Sequence, residues 1–217
     1  MSSHATGTRV QRMPRAQRRA QLLGAALTVF VSKGYHAAAM EDIADEAGVS
    51  KPVLYQHFPG KLDLYLALLD NQCDHLETLV LEALNSSEDH EERVYATVRA
   101  FFTFVADEGG AFRLIYESDL TNEPQVRHRI DALEAQLGEA IAQRIIQDTT
   151  LPLELAEMLG LAMSGAAQVM ARTWLAHGSQ FPLEVAAQAA GHLAWRGIGS
   201  FPVNRMGDPD RGTSGQE

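Results

Sequence analysis

Apolar residues recur three and four apart along almost the whole chain, and no segment alternates as a half-buried strand would. This pattern predicts an all-α fold of about nine helices, an N-terminal three-helix module followed by a larger helical part. Leu22, Leu23, Ala26, Leu27 and Phe30 form a stripe over roughly residues 14–33, stopped by Gly34. Met40, Ile43, Ala44 and Ala47 form a second, short stripe. Gly48 then supplies a permissive turn, Ser50 is placed to cap a third helix, and Lys51 and Pro52 fall in its first turn, where proline's missing N–H matters least. A long helix over about 61–84 follows, then helices at about 88–107, 111–119, 123–147, 152–177 and 182–198.

The two short stripes carry the chemistry. Residues 40–61, MEDIADEAGVSKPVLYQHFPGK, read as a helix, a tight turn and a second helix. Leu54 and Phe58, four apart, face a core, which leaves Lys51, Val53, Gln56 and His57 to face outward on a helix that can lie in a DNA major groove. The net charge of −10 is unevenly spread: residues 1–62 hold eight Lys/Arg against four Asp/Glu, a balance of +4, and the remainder holds ten against twenty-four, −14. Phosphate contacts need local positive charge, and an acidic remainder discourages indiscriminate binding to DNA.

The charge break and the end compositions divide the 217 residues into a basic arm over 1–12, a DNA-binding domain over 13–60, a larger helical domain over 61–199, and a Gly- and Pro-rich tail over 200–217. Both ends read as disordered. A hydrophobic content of 46% suffices for a substantial core. The single cysteine, Cys73, excludes an intramolecular disulfide and suits a reducing cytoplasm. The Arg-rich N-terminus lacks an apolar core, and no later stretch is long and apolar enough for a span, so no membrane partner is expected.

Residues 22–69, LLGAALTVFVSKGYHAAAMEDIADEAGVSKPVLYQHFPGKLDLYLALL, resemble the tetracycline-repressor (TetR) family of bacterial transcription regulators, through the Phe30 and Gly34 spacing, IADEAGVS, LYQHF and Lys61. The resemblance implies a homodimer whose three-helix modules sit in successive major grooves of double-stranded DNA, with C-terminal helices that bind an inducer and one another. Carried over by motif position, Tyr55, His57 and Lys61 contact phosphates, and Lys51, Pro52 and Val53 approach base edges, with Ser50 and Gln56 beside them. Arg15 and Arg18 at the start of the first helix join the phosphate set, while Arg9, Arg12 and Arg19 extend a basic arm suited to a flanking minor groove. Relatives often have Ser or Thr before the second helix. Ala38 and Ala39 stand here instead, so a phosphate at Ala39 would have to use backbone N–H groups. Pro52 replaces a commoner Gly and stiffens the start of the reading helix.

No zinc-protease, paired-cysteine, phosphate-loop or nucleophile-elbow signature is present, so no enzyme, metal or cofactor is expected. The C-terminal part does hold a pocket inventory in Phe101, Phe102, Val105, Phe112, Tyr116, Met163, Met170 and Trp174, with Arg113, Asp119, Thr121, Asn122 and His128 as polar candidates. Gly160, Gly165, Ala166, Ala167 and Ala171, then Ala186, Ala187, Ala190, Gly191 and Ala194, permit close helix approach, either across a four-helix dimer seam or inside one subunit. Within the family, residues 34–69 are similar to regulators of fatty-acid synthesis genes that respond to long-chain acyl-CoA, for which Arg113, Arg127 or Arg129 would have to supply positive charge. The alternatives are a repressor of an efflux or catabolic gene released by a small apolar drug or metabolite, and a helical ligand-binding or enzymatic protein with a vestigial DNA module.

Overall fold

The computed structural model describes residues 13–106, 110–120, 122–178 and 180–198, so the basic arm, the tail and Thr121 lie outside the described residues. Nine helices and no strand occur among those described. They are α1 (Arg15–Ala37), α2 (Met40–Glu46), α3 (Lys51–His57), α4 (Lys61–Leu84), α5 (His90–Ala106), α6 (Ala111–Tyr116), α7 (Pro124–Asp148), α8 (Leu153–Ala176) and α9 (Leu183–Ile198). Gly34 breaks α1 with φ 73° and ψ 165°, values closed to most side chains, so the regular part of α1 ends where the sequence places its stop. Gly48, at φ 63°, turns the chain between α2 and α3. Helix α5 begins at His90 because Asp89 caps it: Asp89 Oδ1 accepts the Glu92 N–H at 2.8 Å.

The chain falls into two compact units, Met1–Leu68 and Leu69–Glu217. The division lies inside α4 rather than at its start. Leu64, Tyr65 and Leu68, all at most 1% exposed, belong to the first unit, whose core also takes Leu22, Ala26 and Phe30 from α1, Ile43 and Ala44 from α2, and Leu54 and Phe58 from α3. Burying each such Leu, Ile or Phe contributes about 1.5–3 kcal/mol, which is what holds two seven-residue helices that would not persist alone.

In the second unit, α5 contributes Phe101, Phe102, Phe104 and Val105, α6 contributes Phe112 and Ile115, and α7 contributes Leu133, Leu137 and Ala142 to the interior. Helix α8 approaches α7 through Gly160, where a Cβ would collide with the Gly138 carbonyl and Ala142. Helix α9 approaches α5 through Gly191, where a Cβ would collide with the Tyr95 ring. Gly160 and Gly191 therefore serve packing inside one subunit, whereas Gly165 meets no neighbour there and Ala166 is exposed. No described helix is long and apolar enough to cross a membrane.

Candidate nucleic-acid interface and effector cavity

Helix α3 turns Leu54 (0% exposed) inward and sets Lys51, Pro52, Tyr55 and Gln56 on the exposed side, with Val53 and His57 half-buried at its edges. Tyr55 is 44% exposed, so its ring is a surface group and not a core aromatic. Ser50 stands at the N-cap position and its carbonyl accepts from Val53 and Leu54, but its hydroxyl makes no capping bond and stays exposed. Proline at the second helical position fixes the first turn without that bond. Lys51 forms an ion pair with Glu41 of α2, both side chains about half exposed. Such a pair is worth about 0–1 kcal/mol, less than the roughly 1–3 kcal/mol of a good base-edge contact, so DNA can displace it.

Arg15, Arg18 and Arg19 all act on His57, so the start of α1 and the end of α3 form one basic cluster. The Arg19 guanidinium lies 4.5 Å from the centre of the Phe58 ring, a contact that pins the two elements together. Arg18 donates to Gln21 Oε1 and Gln21 donates to the Ala47 carbonyl, each at 2.8 Å, which fixes α1 against the end of α2. Arg19 belongs beside Arg15 and Arg18 in the cluster. Spacing within the arm did not reveal its aromatic partner, because Phe58 is far away in sequence.

Partial burial, and then the charges of Arg15, Arg19 and Arg18, hold the His57 imidazole below its ordinary value, so it is neutral near pH 7. A DNA phosphate opposes that arginine field and raises the His57 pKa in the complex. Operator affinity is therefore expected to rise as pH falls through that raised pKa and to level off below the pKa of the free protein. Stability of the free protein runs the other way, since below about pH 6.5 the unfolded chain takes up a proton that the folded one resists. Anisotropy titrations from about pH 8 to pH 5.5 should show the rise, and His57→Gln should flatten it. An unchanged pH profile in that variant would remove His57 from the contact set.

Lys61 makes contacts inside the module that its motif position does not imply. Its ammonium donates to the carbonyls of Tyr35 and Ala38 at 2.8 Å and of His36 at 3.4 Å, and lies 4.5 Å from the centre of the Tyr35 ring. All three N–H donors are thereby directed at the last carbonyls of α1 and the connection to α2. The Ala39 N–H is also engaged, donating to Asp42 Oδ2 at 3.0 Å. Asp42 also pairs with Lys33 at 2.9 Å, and this pairing, then the Ala39 bond, lowers its pKa. A phosphate near α2 cannot use the Ala39 amide without breaking that bond.

A cavity of about 300 Å³ lies within the second unit, walled by α4, α5, α7, α8 and α9. Of the residues that the sequence offers for it, Phe101, Met163 and Met170 line it, whereas Phe102, Val105 and Phe112 are at most 2% exposed and fill the core. Tyr116 packs on Phe112 with ring centres 4.9 Å apart, and the Trp174 indole N–H donates to the Phe181 carbonyl at 2.8 Å. Neither reaches the cavity, and Trp195 takes the place expected for Trp174. The remaining walls are mostly aliphatic residues such as Val80, Leu84, Ile141 and Leu159, with Thr97, Thr149 and Ser164 among them. Arg113 pairs with Glu117 and Arg129 with Asp70, and neither they nor Arg127 line it. Its cationic residues are Arg93, Arg144 and His90, which the sequence did not single out because only the tertiary fold brings α5 beside the end of α7. Burial, and then Asp70 and Asp74, push the Cys73 thiol up to about 12, which disfavours the thiolate form.

Residues 22–68 match the family described as bacterial regulatory proteins, tetR family. The chain is 41% identical over 197 residues to the HTH-type transcriptional activator FasR of Mycolicibacterium smegmatis, covering 91% of this chain and 90% of that protein. Among solved structures, a TetR-like transcriptional regulator from Rhodococcus sp. RHA1 superposes with a TM-score of 0.71 at 26% identity, over 87% of this chain and all of that one. The transcriptional regulator FadR from Bacillus subtilis, in complex with stearoyl-CoA, gives 0.66 at 18% identity over 81% of this chain and 96% of its own, a likeness of fold. A basic, solvent-facing reading helix, a separate helical unit with an apolar cavity, and close identity over nine-tenths of a named relative make this chain a member of the TetR family of DNA-binding transcriptional regulators.

Proposed function

We propose that the protein acts in the cytoplasm as a homodimeric regulator of lipid-metabolism genes, reading an inverted-repeat operator and responding to an acyl chain held in its cavity. The observation that carries the effector reading is the cavity wall, in which aliphatic side chains, Phe101 and two methionines enclose a space with charge confined to a few residues. An alkyl chain gains about 0.8 kcal/mol per methylene buried there, and methionine adapts to its shape. The similarity of residues 34–69 to acyl-CoA-responsive regulators, and the stearoyl-CoA complex of a regulator with the same fold, support this reading. The volume, at the lower end of ligand pockets, suits an acyl chain and not a whole CoA thioester, whose adenosine would lie outside. That size also favours a second reading, a compact apolar drug or metabolite.

Lys51, Pro52, Val53 and Gln56 serve as base readers and Arg15, Arg18, Tyr55 and His57 as phosphate contacts, with Ser50 adding its free hydroxyl. Dimerisation uses the outward faces of α8 and α9, where Leu155, Met158, Leu161, Val169, Val185 and Leu193 are each more than 40% exposed. Linkage requires the effector to bind more tightly to one spacing of the two reading helices than to the other. Titrating the operator complex with acyl-CoAs of increasing chain length is expected to change DNA affinity and raise thermal stability over a window of lengths. No effect at any length, together with release by a compact apolar compound, would transfer the site to the second reading.

A further inference from the structure

One end of the cavity is charged, and its charges do not balance. Arg93, its side chain 3% exposed, donates from one guanidinium nitrogen to the Ser87 carbonyl at 2.8 Å and from the other to Asp148 Oδ2. The same carboxylate oxygen lies 3.4 Å from His90 Nδ1 and 3.9 Å from Arg144 Nε. A single carboxylate thus faces two guanidinium groups and an imidazole, a surplus of one positive charge with His90 neutral and of two with it protonated. Arg144 spends one terminal nitrogen on Gln147 Oε1 at 3.0 Å, while its Nε is shielded from solvent and has no hydrogen-bond partner among the described residues. All four side chains line the same cavity, whose other walls are apolar apart from Thr97, Thr149 and Ser164, in a unit that is otherwise acidic.

Uncompensated positive charge beside an apolar wall favours an anion. We propose that Arg93, Arg144, His90 and Asp148 form a head-group subsite, and that the effector is a single-chain amphiphile whose anionic head is received at Arg144. Arg93 positions the cluster by tying Asp148 to α5, and Arg144, less buried and only partly offset by Asp148, supplies the charge that receives the head. The anion has two natural sources, the carboxylate of a free fatty acid and the phosphates of an acyl thioester. This assignment rests on the cavity being the effector site.

The test uses the full-length protein with dodecanoate, dodecanol and dodecanoyl-CoA, measured by calorimetry in the wild type, Arg144→Met and Arg144→Gln, with thermal melts as a check on folding. Arg144 is the position of choice because it is less buried than Arg93. Both substitutions are expected to weaken an anionic ligand about tenfold or more and to leave dodecanol within about twofold. Loss confined to dodecanoate assigns the subsite to a carboxylate, and loss confined to the thioester assigns it to phosphates. An unchanged acid-to-alcohol affinity ratio in the folded variants would overturn the subsite while leaving the cavity as the effector site. Failure of all three ligands to bind the wild type would remove the cavity reading and this assignment together.

Discussion

Met158→Asp combined with Val169→Asp is expected to yield a folded monomer whose operator affinity is lower by about a hundredfold or more. Met158 is 59% and Val169 50% exposed in the single subunit, so neither holds the interior together, and both lie on the apolar outward face of α8. Burial of a Met or Val side chain against a second copy is worth about 1.5–3 kcal/mol each, counted twice across a two-fold interface. A carboxylate at either position replaces that gain with the cost of desolvating a charge. Each monomer would then meet one half-site alone and lose the effective concentration that the partner provides. Ala190, by contrast, is 4% exposed and lines the cavity, so a charge there would damage the subunit before it reached any interface. Sedimentation velocity and operator titration on the double variant settle the matter. A persistent dimer, or a monomer with undiminished affinity, would refute the assigned face.

Lys61→Met is expected to destabilise the first unit by about 2–3 kcal/mol, a fall of roughly 10–20 °C in its melting temperature for a domain of that size. The ammonium serves the Tyr35, His36 and Ala38 carbonyls and the Tyr35 ring, and methionine keeps the chain length while leaving those acceptors with only water to replace it. Phe30, Tyr35 and Tyr65 stack and cross around that point, with ring centres 5.3–5.9 Å apart, so the loss spreads to the contact of α1 with α4. Hydrogen exchange resolves residues 15–57 from the second unit, which a single melting curve does not. At low temperature the salt dependence of DNA binding should be unaltered. Normal protection of residues 15–57 combined with a shallower salt slope would return Lys61 to the phosphates.

The nine helices were legible because their apolar stripes repeat at helical spacing and because Gly34 and Gly48 mark breaks that only the local backbone decides. The outward face of α3 was legible for the same reason, since Leu54 and Phe58 fix which side is buried. The use of a polar side chain depends on what the fold brings to it. Lys61 and Tyr35 are distant in sequence, as are Arg93 and Asp148, and no spacing rule pairs them. Aromatic content in α5 and α6 could not separate cavity wall from core, because Phe101 and Phe102 are neighbours with opposite assignments. Small residues on α8 and α9 fit close packing of either kind, and only tertiary contacts show that Gly160 and Gly191 pack internally.

Selection of genomic fragments by the full-length protein at physiological salt tests the central claim, that α3 reads a specific DNA sequence as part of a symmetric pair. An inverted repeat with half-sites about 34–36 Å apart, or a multiple of that, should be enriched and bound about a thousandfold or more tighter than a scrambled duplex. Recovery of fragments without a shared motif, bound no more tightly than scrambled DNA, would contradict it.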